Sequence, residues 1–463
     1  MQTSFTPAQL ADPAMASSEK ILRSCVHCGF CTATCPTYLL LGDELDSPRG
    51  RIYLIKDMLE GEKPASPEVV THIDRCLSCL SCMTTCPSGV HYMHLVDHAR
   101  AYIEKTYRRP LSDRLLRALL AATLPYRARF RAAITAARLA KPLKGVVGTL
   151  PLLGARLAAM LDLAPVSLPP KAPAARPRVF PAAGSRKARV VLLDGCVQPV
   201  LMPSINEAAI RLLNRLGVEV VLPQGEGCCG ALVHHMGREA GSRAFAARNI
   251  EVWHEEIEKG GLDAIVITAS GCGTTIKDYG FMFRDDARLA TKAAEVSALA
   301  KDISEYLSGL DLPAPSRPMG LTIAYHSACS MQHGQKITDE PKKLLRAAGF
   351  VVKDVAEGHI CCGSAGVYNI LQPELASQLR DRKTGHIART KPNIVATGNI
   401  GCITQIAKGF ADRARAGGPA APPVVHTVEL LDWALGGQRP EGIGETSEQG
   451  AIGGGQHPSG RNY

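Results

Sequence analysis

Two short stretches decide the fold of the N-terminal region: CVHCGFCTATCP at residues 25–36 and CLSCLSCMTTCP at residues 76–87. Both have the spacing C-x2-C-x2-C-x3-C-P, in which a proline redirects the chain after the fourth cysteine. Thiolates two residues apart on a tight loop can bind separate irons of one cluster, because short loops close at little entropic cost. The spacing therefore predicts two iron–sulfur clusters.

The same spacing also predicts how the ligands divide. It is the pattern of bacterial two-cluster ferredoxins, in which the fourth cysteine of each run ligates the other cluster. Two [4Fe-4S] clusters are therefore expected. The predicted ligands are Cys25, Cys28, Cys31 and Cys86 for the first cluster, and Cys76, Cys79, Cys82 and Cys35 for the second.

Two other uses of these cysteines are weaker. Zinc sites also use C-x2-C pairs, but they need only two pairs and leave the C-x3-CP ending unexplained. A disulfide framework is disfavoured because the first 25 residues contain no apolar segment of a secretory signal peptide. We therefore expect a chain in a reducing compartment, whose 16 cysteines serve mainly as metal ligands.

The composition is that of a globular protein with room for two or three domains: 463 residues, 46% hydrophobic and 21% charged. No run of 18 apolar residues predicts a membrane span. The formal charge of +10 is uneven, because residues 107–147 alone carry ten Lys or Arg against one acid. The remainder is nearly neutral, which argues against nucleic-acid binding. The basic residues are Arg108, Arg109, Arg114, Arg117, Arg127, Arg129, Arg131, Arg138, Lys141 and Lys144.

Composition also divides the chain into segments. The predicted segments are the two-cluster domain at 1–106, the basic helical connector at 107–163 with a break near Pro125, a linker with six prolines at 164–189, two repeated modules at 190–312 and 313–435, and a Gly-rich disordered tail at 436–463. Three interpretations of the basic connector stay open: a solvated link, a docking face for an acidic partner, or an amphipathic element on a membrane surface.

Polar residues near the cysteine runs are ambiguous. The segment between the runs predicts a helix, and Asp46, Arg49 and Arg51 near its start either form hydrogen bonds around a cluster sulfur or belong to a solvated helix start. Three histidines after the second run share one helical face, where packing is favoured over metal binding because the cluster ligands are already complete: His91, His94 and His98.

The other eight cysteines form an internal repeat. A C…CC…C pattern occurs twice; the copies are offset by 133 residues at the first cysteine and at the pair, and by 130 at the last. In both copies the first cysteine precedes the pair by 32 residues. The first copy contains Cys196, Cys228, Cys229 and Cys272, and the second contains Cys329, Cys361, Cys362 and Cys402.

Apolar strands alternate with amphipathic helices in both copies, which predicts parallel sheets. Each cysteine position comes just after a strand, so the four thiols of a copy should meet at the carboxyl edge of its sheet as a candidate metal or cluster site. The predicted fold class is α+β multidomain: a helical ferredoxin-like N-terminal domain for two [4Fe-4S] clusters, followed by a duplicated α/β CCG domain with parallel sheets.

Two further patterns near the repeat are given structural interpretations. Gly225, Gly227 and Gly230 form the dinucleotide fingerprint G-x-G-x-x-G, but the second copy breaks this glycine pattern while keeping its cysteines. We therefore expect no nucleotide site. Three nearby histidines are interpreted as structural or solvated, with proton transfer beside a quinone as the alternative: His234, His235 and His326.

A two-cluster module followed by tandem CCG modules resembles the iron–sulfur subunits of flavin-linked dehydrogenases. Over residues 18–435 the chain is similar to the glycolate oxidase iron–sulfur subunits, on the basis of residues 25–62 and 76–90 and of the motifs GCVQP and GCCG. The resemblance implies that FAD-containing partner subunits oxidise glycolate to glyoxylate. This chain, without catalytic residues of its own, would pass single electrons through two [4Fe-4S] clusters to quinone or another acceptor. A glycerol-3-phosphate or lactate dehydrogenase subunit is the alternative.

The CCG modules also resemble heterodisulfide reductase subunits, whose motif ends in C-x-x-C and has five cysteines. Each copy here has only four cysteines. The positions three residues before and after Cys272 are Ala269 and Thr275, and those around Cys402 are Asn399 and Gln405, so neither copy completes C-x-x-C. Three states of these sites stay open: a further iron–sulfur cluster, a zinc ion, or thiols without metal. Reduction of a disulfide substrate by these thiols is a fourth possibility. The resemblance also implies a cytoplasmic location, peripheral on the inner face of the membrane.

Overall fold

The computed structural model describes residues 1–151, 153–165, 167–170, 178–316 and 319–444. A helical region precedes two sheets, one of five strands and one of four, whose strands are parallel except for one edge strand. The predicted fold class is therefore confirmed. None of the helices in this described part is long and apolar enough to cross a membrane.

The N-terminal region consists of short helices, several of which begin with a proline in the first turn, where the missing N–H is not needed. The predicted helix between the cysteine runs begins after Ser47, whose side chain accepts a hydrogen bond from Gly50 N, and it buries Ile52, Ile55 and Leu59. The helices are α1 Pro7–Leu10, α2 Pro13–Ser24, α3 Pro36–Leu41, α4 Pro48–Glu60, α5 Pro67–Asp74, α6 Ser81–Thr85 and α7 Tyr92–Thr106.

The basic connector is helical and breaks around Pro125. Much of its charge is paired within the chain, because buried Arg109 and Arg117 both contact Asp74 and Asp113. These ion pairs tie the connector to the two-cluster region. Its helices are α8 Leu111–Thr123, α9 Arg127–Ala140, α10 Lys144–Gly148 and α11 Gly154–Leu163.

The first repeated module forms a five-stranded sheet in the order β1-β3-β2-β4-β5, in which only β1 is antiparallel to its neighbour. Its elements are β1 Arg178–Phe180, β2 Ala188–Leu192, α12 Gln198–Leu201, α13 Ser204–Arg215, β3 Val218–Leu222, α14 Ala231–His234, α15 Glu239–Gly260, β4 Ala264–Ile267, α16 Ser270–Lys277, α17 Tyr279–Met282, α18 Ala290–Leu299, β5 Ala300–Asp302 and α19 Ile303–Ser308.

The second module repeats this arrangement with four parallel strands in the order β7-β6-β8-β9, which matches β3-β2-β4-β5 of the first. A five-residue π-helix follows the first cysteine of this module. Its other elements are β6 Thr322–Tyr325, α20 Glu340–Ala347, β7 Val351–Asp354, α21 Tyr368–Leu371, α22 Pro373–Arg389, β8 Ile394–Thr397, α23 Ile400–Arg415, β9 Val424–His426 and α24 Thr427–Ala434.

The two modules share one hydrophobic core, and each also has a core of its own. Side chains of both sheets and of α13, α19, α20 and α24 belong to a single buried cluster. Arg211 and Arg215 on α13 pair with fully buried Asp432 on α24. The modules therefore form one body, which fixes their cysteine edges relative to each other.

Two boundary predictions need correction. Residues 178–180 of the predicted linker form β1, because their backbone pairs with the free edge of β3, and β2 begins at Ala188. Part of the predicted tail is also ordered, since Ile443 is buried in the shared core. Residues 166 and 171–177 of the linker and 445–463 of the tail lie outside the described residues.

Candidate iron–sulfur and thiol sites

The two cysteine runs surround two separate cavities. The first, of about 430 Å³, is lined by four cysteines predicted to hold one cluster: Cys25, Cys28, Cys31 and Cys86. The second, of about 320 Å³, is lined by the other predicted set: Cys35, Cys76, Cys79 and Cys82. Cys82 also borders the first cavity. Each cavity thus combines three thiols of one run with the fourth thiol of the other.

Backbone conformation is the same in both cysteine loops. The residue before the second cysteine and the residue after it have positive φ in both runs: 56° at His27 and 85° at Gly29, 50° at Ser78 and 63° at Leu80. Three of these residues are not glycine, and the left-handed region costs such residues free energy unless surrounding structure requires it. The loop wraps the cavity because of these turns, and Ser78 N lies 3.5 Å from Cys76 Sγ.

Three thiols of these cavities lie in surroundings that oppose a free thiolate. Burial raises the pKa of Cys79 and Cys82 well above the ordinary thiol value, and burial raises the pKa of Cys31 to about 11. A bound cation reverses this preference, because it interacts directly with the thiolate charge. Four convergent sulfur donors per cavity therefore fit an iron–sulfur cluster.

One of the polar residues named from sequence reaches a cluster ligand with its side chain, whereas Asp46 and Arg49 reach one only through their backbones. Buried Arg51 lies with Nη1 3.8 Å from Cys35 Sγ, donates from Nη2 to Thr37 Oγ1 at 3.0 Å, and pairs with Asp46 at 3.1 Å. Asp46 acts through Arg51 and Arg75, not on a sulfur by its carboxylate. Arg49 pairs with Glu44 near the surface.

The three histidines after the second run do not converge. His94 Nε2 contacts Asp278 Oδ1 at 2.8 Å, whereas His98 Nδ1 lies 2.6 Å from Ser18 Oγ. His91 stacks near His94. Packing within the two-cluster region and, for His94, against the first module accounts for these contacts, in agreement with the prediction.

His234 and His235 belong to the same domain boundary. They lie 3.1 Å and 3.8 Å from the buried carboxylate of Asp97. Burial would raise the pKa of Asp97, but these two histidines hold it well below its ordinary value. His234 correspondingly has a raised pKa, because the attraction of Asp97 outweighs burial. A structural ion pair is therefore the role that their contacts support.

The CCG cysteines occupy the predicted edge of the sheets. The first cysteine of each module follows the central strand β2 or β6, the CC pair follows the neighbour on one side, and the last begins a helix after the neighbour on the other side. This is the switch point at which parallel sheets bind ligands. All eight line one cavity of about 1220 Å³ between the modules: Cys196, Cys228, Cys229, Cys272, Cys329, Cys361, Cys362 and Cys402.

Within each module the four thiols follow one another in a row. Hydrogen bonding to Cys228, together with burial, raises the pKa of Cys196, and Cys229 lies beside Cys272. In the second module Cys329 Sγ and Cys361 Sγ are 3.7 Å apart. Two rows of thiols thus face one cavity, and either row offers soft donors to a metal ion.

The glycine of the CCG motif has a steric reason. Gly230 and Gly363 have φ of 87° and 86°. A Cβ at Gly363 would lie 2.5 Å from Ala376 O on the following helix, and one at Gly230 would lie 2.9 Å from Ser242 O. Each CC pair therefore turns sharply against its helix. The G-x-G-x-x-G match at Gly230 reflects this turn.

One histidine beside the thiols is buried and not solvated. His326, interpreted as structural or solvated, has a side chain whose ring lies with the sulfurs of Cys362 and Cys402, all three ligand atoms within 4.8 Å of one another. Burial and Lys383 hold the pKa of His326 well below its ordinary value, so its imidazole is neutral. The repeat contained a signal for this position. The matching residue of the first copy is Leu193, so a histidine stands where the other module has an apolar residue.

The second cluster cavity adjoins the second CCG module. Cys79 and Cys361 belong to one buried cluster with Leu77, Ile360 and Tyr368, and Cys329 packs against it. Leu77 and Ser78 also line the cavity between the modules. The three candidate sites therefore lie in sequence, with the Cys35 site in contact with the thiols of module two.

Comparison with known proteins agrees with this architecture. Residues 21–90 match the family of the 4Fe-4S dicluster domain, and residues 190–277 and 323–407 match the cysteine-rich domain CCG. A lactate utilization protein A from Bacillus licheniformis is 26% identical over 53% of this chain and 99% of its own length. A hypothetical protein from Helicobacter pylori shares the fold, with a TM-score of 0.52 at 9% identity over 94% of this chain and 74% of that one.

Two relatives match nearly the whole chain. The glycolate oxidase iron–sulfur subunit of Escherichia coli is 41% identical, covering 94% of this chain and 99% of the relative. The probable glycolate oxidase iron–sulfur subunit of Bacillus subtilis is 32% identical, covering 90% and 94%. With its dicluster domain and tandem CCG domains, the chain belongs to the family of glycolate oxidase iron–sulfur subunits.

Proposed function

We propose that this chain is the electron-transfer subunit of a flavin-linked complex that oxidises glycolate to glyoxylate. Substrate oxidation takes place at FAD in partner subunits, and the electrons pass through this chain to quinone or another acceptor. The observation that supports this most is the pair of four-cysteine cavities, each completed by a thiol of the other run. Paired one-electron sites suit a relay that begins at a two-electron flavin.

The ligand sets follow from the same cavities. We propose Cys25, Cys28, Cys31 and Cys86 for one [4Fe-4S] cluster, which when bound supplies one-electron chemistry. The chain's own residues hold the four thiols in place through the paired left-handed turns. The second cluster is assigned to Cys35, Cys76, Cys79 and Cys82.

We also propose that CCG thiols bind metal. Cys196, Cys228, Cys229 and Cys272 form one row on the shared cavity, and Cys329, Cys361, Cys362 and Cys402 form the other. Buried thiols beside a cluster cavity suit a further redox or zinc centre better than a solvent-exposed thiol reaction.

Glycolate-dependent dye reduction by the reconstituted complex tests the main proposal. The flavoprotein subunits are assayed alone, with this chain, and with a Cys79→Ser variant, using glycolate, lactate and glycerol 3-phosphate in parallel. We expect acceptor reduction with glycolate that depends on the intact chain. Equal rates without the chain, or a preference for either other substrate, would contradict it.

Electron paramagnetic resonance of the reduced, anaerobically purified chain tests the ligand sets. Cys86→Ser should alter the same signal as Cys25→Ser, whereas Cys35→Ser should alter the same signal as Cys76→Ser. If Cys86→Ser instead matches Cys76→Ser, each cluster is bound within its own run. Iron and sulfide content should show about eight irons for the two clusters.

We propose that helix α8 makes peripheral contact with an anionic membrane surface. It exposes Leu111, Leu115 and Leu119, at 67%, 58% and 47%, on one side, and Arg108 and Arg114 are exposed nearby. An apolar stripe beside exposed basic side chains suits lipid headgroups.

Vesicle sedimentation separates this contact from a protein–protein contact. The wild-type chain should pellet with vesicles of phosphatidylcholine mixed with phosphatidylglycerol, and the double variant Leu115→Ser/Leu119→Ser should not. Leu139→Ser, at another exposed leucine, is the matched control and should still pellet. If the double variant instead loses only flavoprotein binding, α8 is a subunit contact.

A further inference from the structure

His326 and Leu193 occupy the same position in the two CCG modules. Each directly follows the central strand of its sheet, and each donates its backbone N–H to the neighbouring strand: His326 to Ala396 O at 2.9 Å and Leu193 to Val266 O at 3.0 Å. The backbone is thus the same at both places. Only the side chain differs, and a neutral imidazole replaces an isobutyl group.

The imidazole of His326 is buried without a polar partner. The residue is 1% exposed, and neither ring nitrogen has a hydrogen-bond partner among the described residues. A buried polar group left unsatisfied costs about 1–3 kcal/mol, so a native protein retains one mainly where something else satisfies it. The groups nearest to its ring that can do so are thiols.

The thiols of Cys362 and Cys402 stand beside that ring. The three ligand atoms lie within 4.8 Å of one another, and all three residues are buried. In the described part of the chain one other group of three meets this criterion, Asp43, Asp46 and His72. There the Asp46 carboxylate is already neutralised by Arg51 and Arg75, so no metal is needed.

We infer that His326 is a nitrogen ligand of a metal centre in the second CCG module, bound together with Cys362 and Cys402. The inference extends the proposed metal role of the CCG thiols and assigns it a nitrogen donor and a module. Cys361, in hydrogen-bond contact with Cys362, is the next thiol in the row and the nearest donor for a fourth position.

The donor set decides which metals fit. Thiolate with imidazole suits Zn²⁺ or iron, whereas oxygen-seeking Mg²⁺ and Ca²⁺ are excluded. For a tetrahedral ion with bonds of about 2.3 Å to sulfur and about 2.0 Å to nitrogen, the ligand atoms lie roughly 3.5–3.8 Å apart. The observed grouping requires only a small contraction to reach this geometry.

The first module cannot form the same centre. Leu193 offers no donor atom. Among the described residues, no group of three ligand atoms within 4.8 Å of one another includes Cys229 or Cys272. The two thiol rows are therefore not equivalent, and the row with a histidine is the one in contact with the Cys35 cluster site.

Metal analysis of the full-length chain tests the inference. Protein purified anaerobically and dialysed against chelator is analysed for zinc and iron, and X-ray absorption at the edge of the metal found is recorded. We expect about one metal equivalent beyond the irons of the two N-terminal clusters, with a light-atom ligand at about 2.0 Å. Zinc and iron each support the site and identify its occupant.

Three variants make the result specific. His326→Leu, which installs the residue of the first module, and Cys402→Ser should each lose that equivalent, and the matched variant Cys272→Ser of the first module should keep it. Retention of the metal with an unchanged light-atom shell in His326→Leu would overturn the inference. Absence of any metal beyond the two clusters in the wild-type chain would overturn it as well.

Folding and function are controlled separately. Unchanged resonance signals of the two reduced N-terminal clusters show that a variant is folded, and His326→Cys, which keeps a metal donor, should retain the metal while losing the nitrogen shell. None of these measurements uses glycolate. A chain that fails in the dye assay but keeps the third centre contradicts only the proposed function, and the reverse result contradicts only this inference.

Discussion

The two CCG modules have the same strand order and the same cysteine positions, yet their thiol rows lie in different electrostatic surroundings. Leu193 and His326 are one pair of matching positions that differ, and Asn249 and Lys383 are another. The second pair is matched through the helix residue that faces the CCG glycine, which is Ser242 in module one and Ala376 in module two. Asn249 and Lys383 each lie seven residues after it. Both are buried. At these two positions module one has the neutral side chains of Leu193 and Asn249, and module two has an imidazole and an ammonium group.

These residues make the same connection in different ways. Asn249 donates to Cys228 O at 3.1 Å and accepts from Gly227 N at 2.9 Å, whereas Lys383 donates from Nζ to Glu357 O at 2.6 Å. Each ties the helix to the loop that carries the CC pair. Duplication has thus kept the framework, while the side chains that tune the thiols have diverged.

The largest expected effect tests what the modules share. Gly363→Ala would force a left-handed alanine and place its Cβ 2.5 Å from Ala376 O, so we expect a loss of stability of about 3–4 kcal/mol. Gly230→Ala meets Ser242 O at 2.9 Å and should cost less, about 2–3 kcal/mol. Urea unfolding measures both.

Gly241→Ala is the matched control for these two variants. This glycine lies inside helix α15, and a Cβ there meets nothing within 4 Å. Helix propensity predicts a neutral effect or a gain of up to about 1 kcal/mol. Destabilisation by Gly241→Ala as large as that of Gly363→Ala would show that the left-handed turn is not the cause.

The next effect tests how the modules differ in their pH response. Asp302 and His426 end the last strand of each sheet and cap the next helix, by accepting from Ser304 N and Val428 N. Burial raises the pKa of Asp302 to about 7 and lowers the pKa of His426 to about 4. Folding thus favours the uncharged form at both positions.

The signs of the two linkages are opposite. The raised pKa of Asp302 makes the native state lose stability as pH rises from about 4 to 7, whereas the lowered pKa of His426 makes it lose stability as pH falls from about 6.5 to 4. Each slope is about 1.4 kcal/mol per pH unit, and they largely cancel in the wild-type chain. Asp302→Asn should therefore reveal a stability that rises with pH, and His426→Asn one that falls.

Urea unfolding followed by Trp433 fluorescence between pH 5 and 7 measures these slopes, because Trp433 lies on the helix that His426 caps. The ordinary carboxylates of the chain are common to all variants, so the difference between the two variants isolates the two caps. Parallel pH profiles for Asp302→Asn and His426→Asn would contradict the assignment.

Sequence alone was sufficient for the cysteine positions, because thiols that follow parallel strands must meet at one edge. It was not sufficient for β1, since three residues among prolines carry no strand pattern and form a strand only against the free edge of β3. The shared core of the modules was also missed: hydrophobic periodicity shows which face of a helix is buried, not which module covers it.

His326 shows the limit most clearly. An isolated histidine in a sequence has no distinguishing pattern, and its meaning comes from two cysteines 36 and 76 residues further along the chain. The comparison of the copies contained a signal, because a leucine stands at the matching position of the first. A buried polar residue at an apolar position of a repeat indicates a local function, and only the folded chain shows its partners.

A smaller effect is expected from the buried lysine of module two. Lys383→Met removes a cation beside the thiols, so the metal-bound thiolates lose a favourable neighbour, and we expect metal affinity to fall ~10–100-fold. Asn249→Leu in module one is the matched change and should leave this affinity unaltered. Competition with a chromophoric chelator measures it, and equal losses in both variants would mean that the helix–loop connection, not the charge, is responsible.

The smallest expected effect extends the comparison to the two cluster cavities, which are unequal in the same way. Arg51 brings a buried guanidinium within 3.8 Å of Cys35 Sγ, whereas Arg49, which lines the Cys86 cavity, is partly exposed and pairs with Glu44. Positive charge near a cluster sulfur favours the reduced state. Arg51→Lys keeps the charge but loses part of the planar guanidinium that hydrogen-bonds Thr37 and Asp46. The reduction potential of the Cys35 cluster should therefore fall by about 40–60 mV, equivalent to about 1 kcal/mol for one electron.

A redox titration followed by electron paramagnetic resonance measures both clusters in one sample, and the Cys86 cluster is the internal control. If both potentials move together, the substitution has perturbed the domain as a whole, and the asymmetry between the cavities does not come from Arg51.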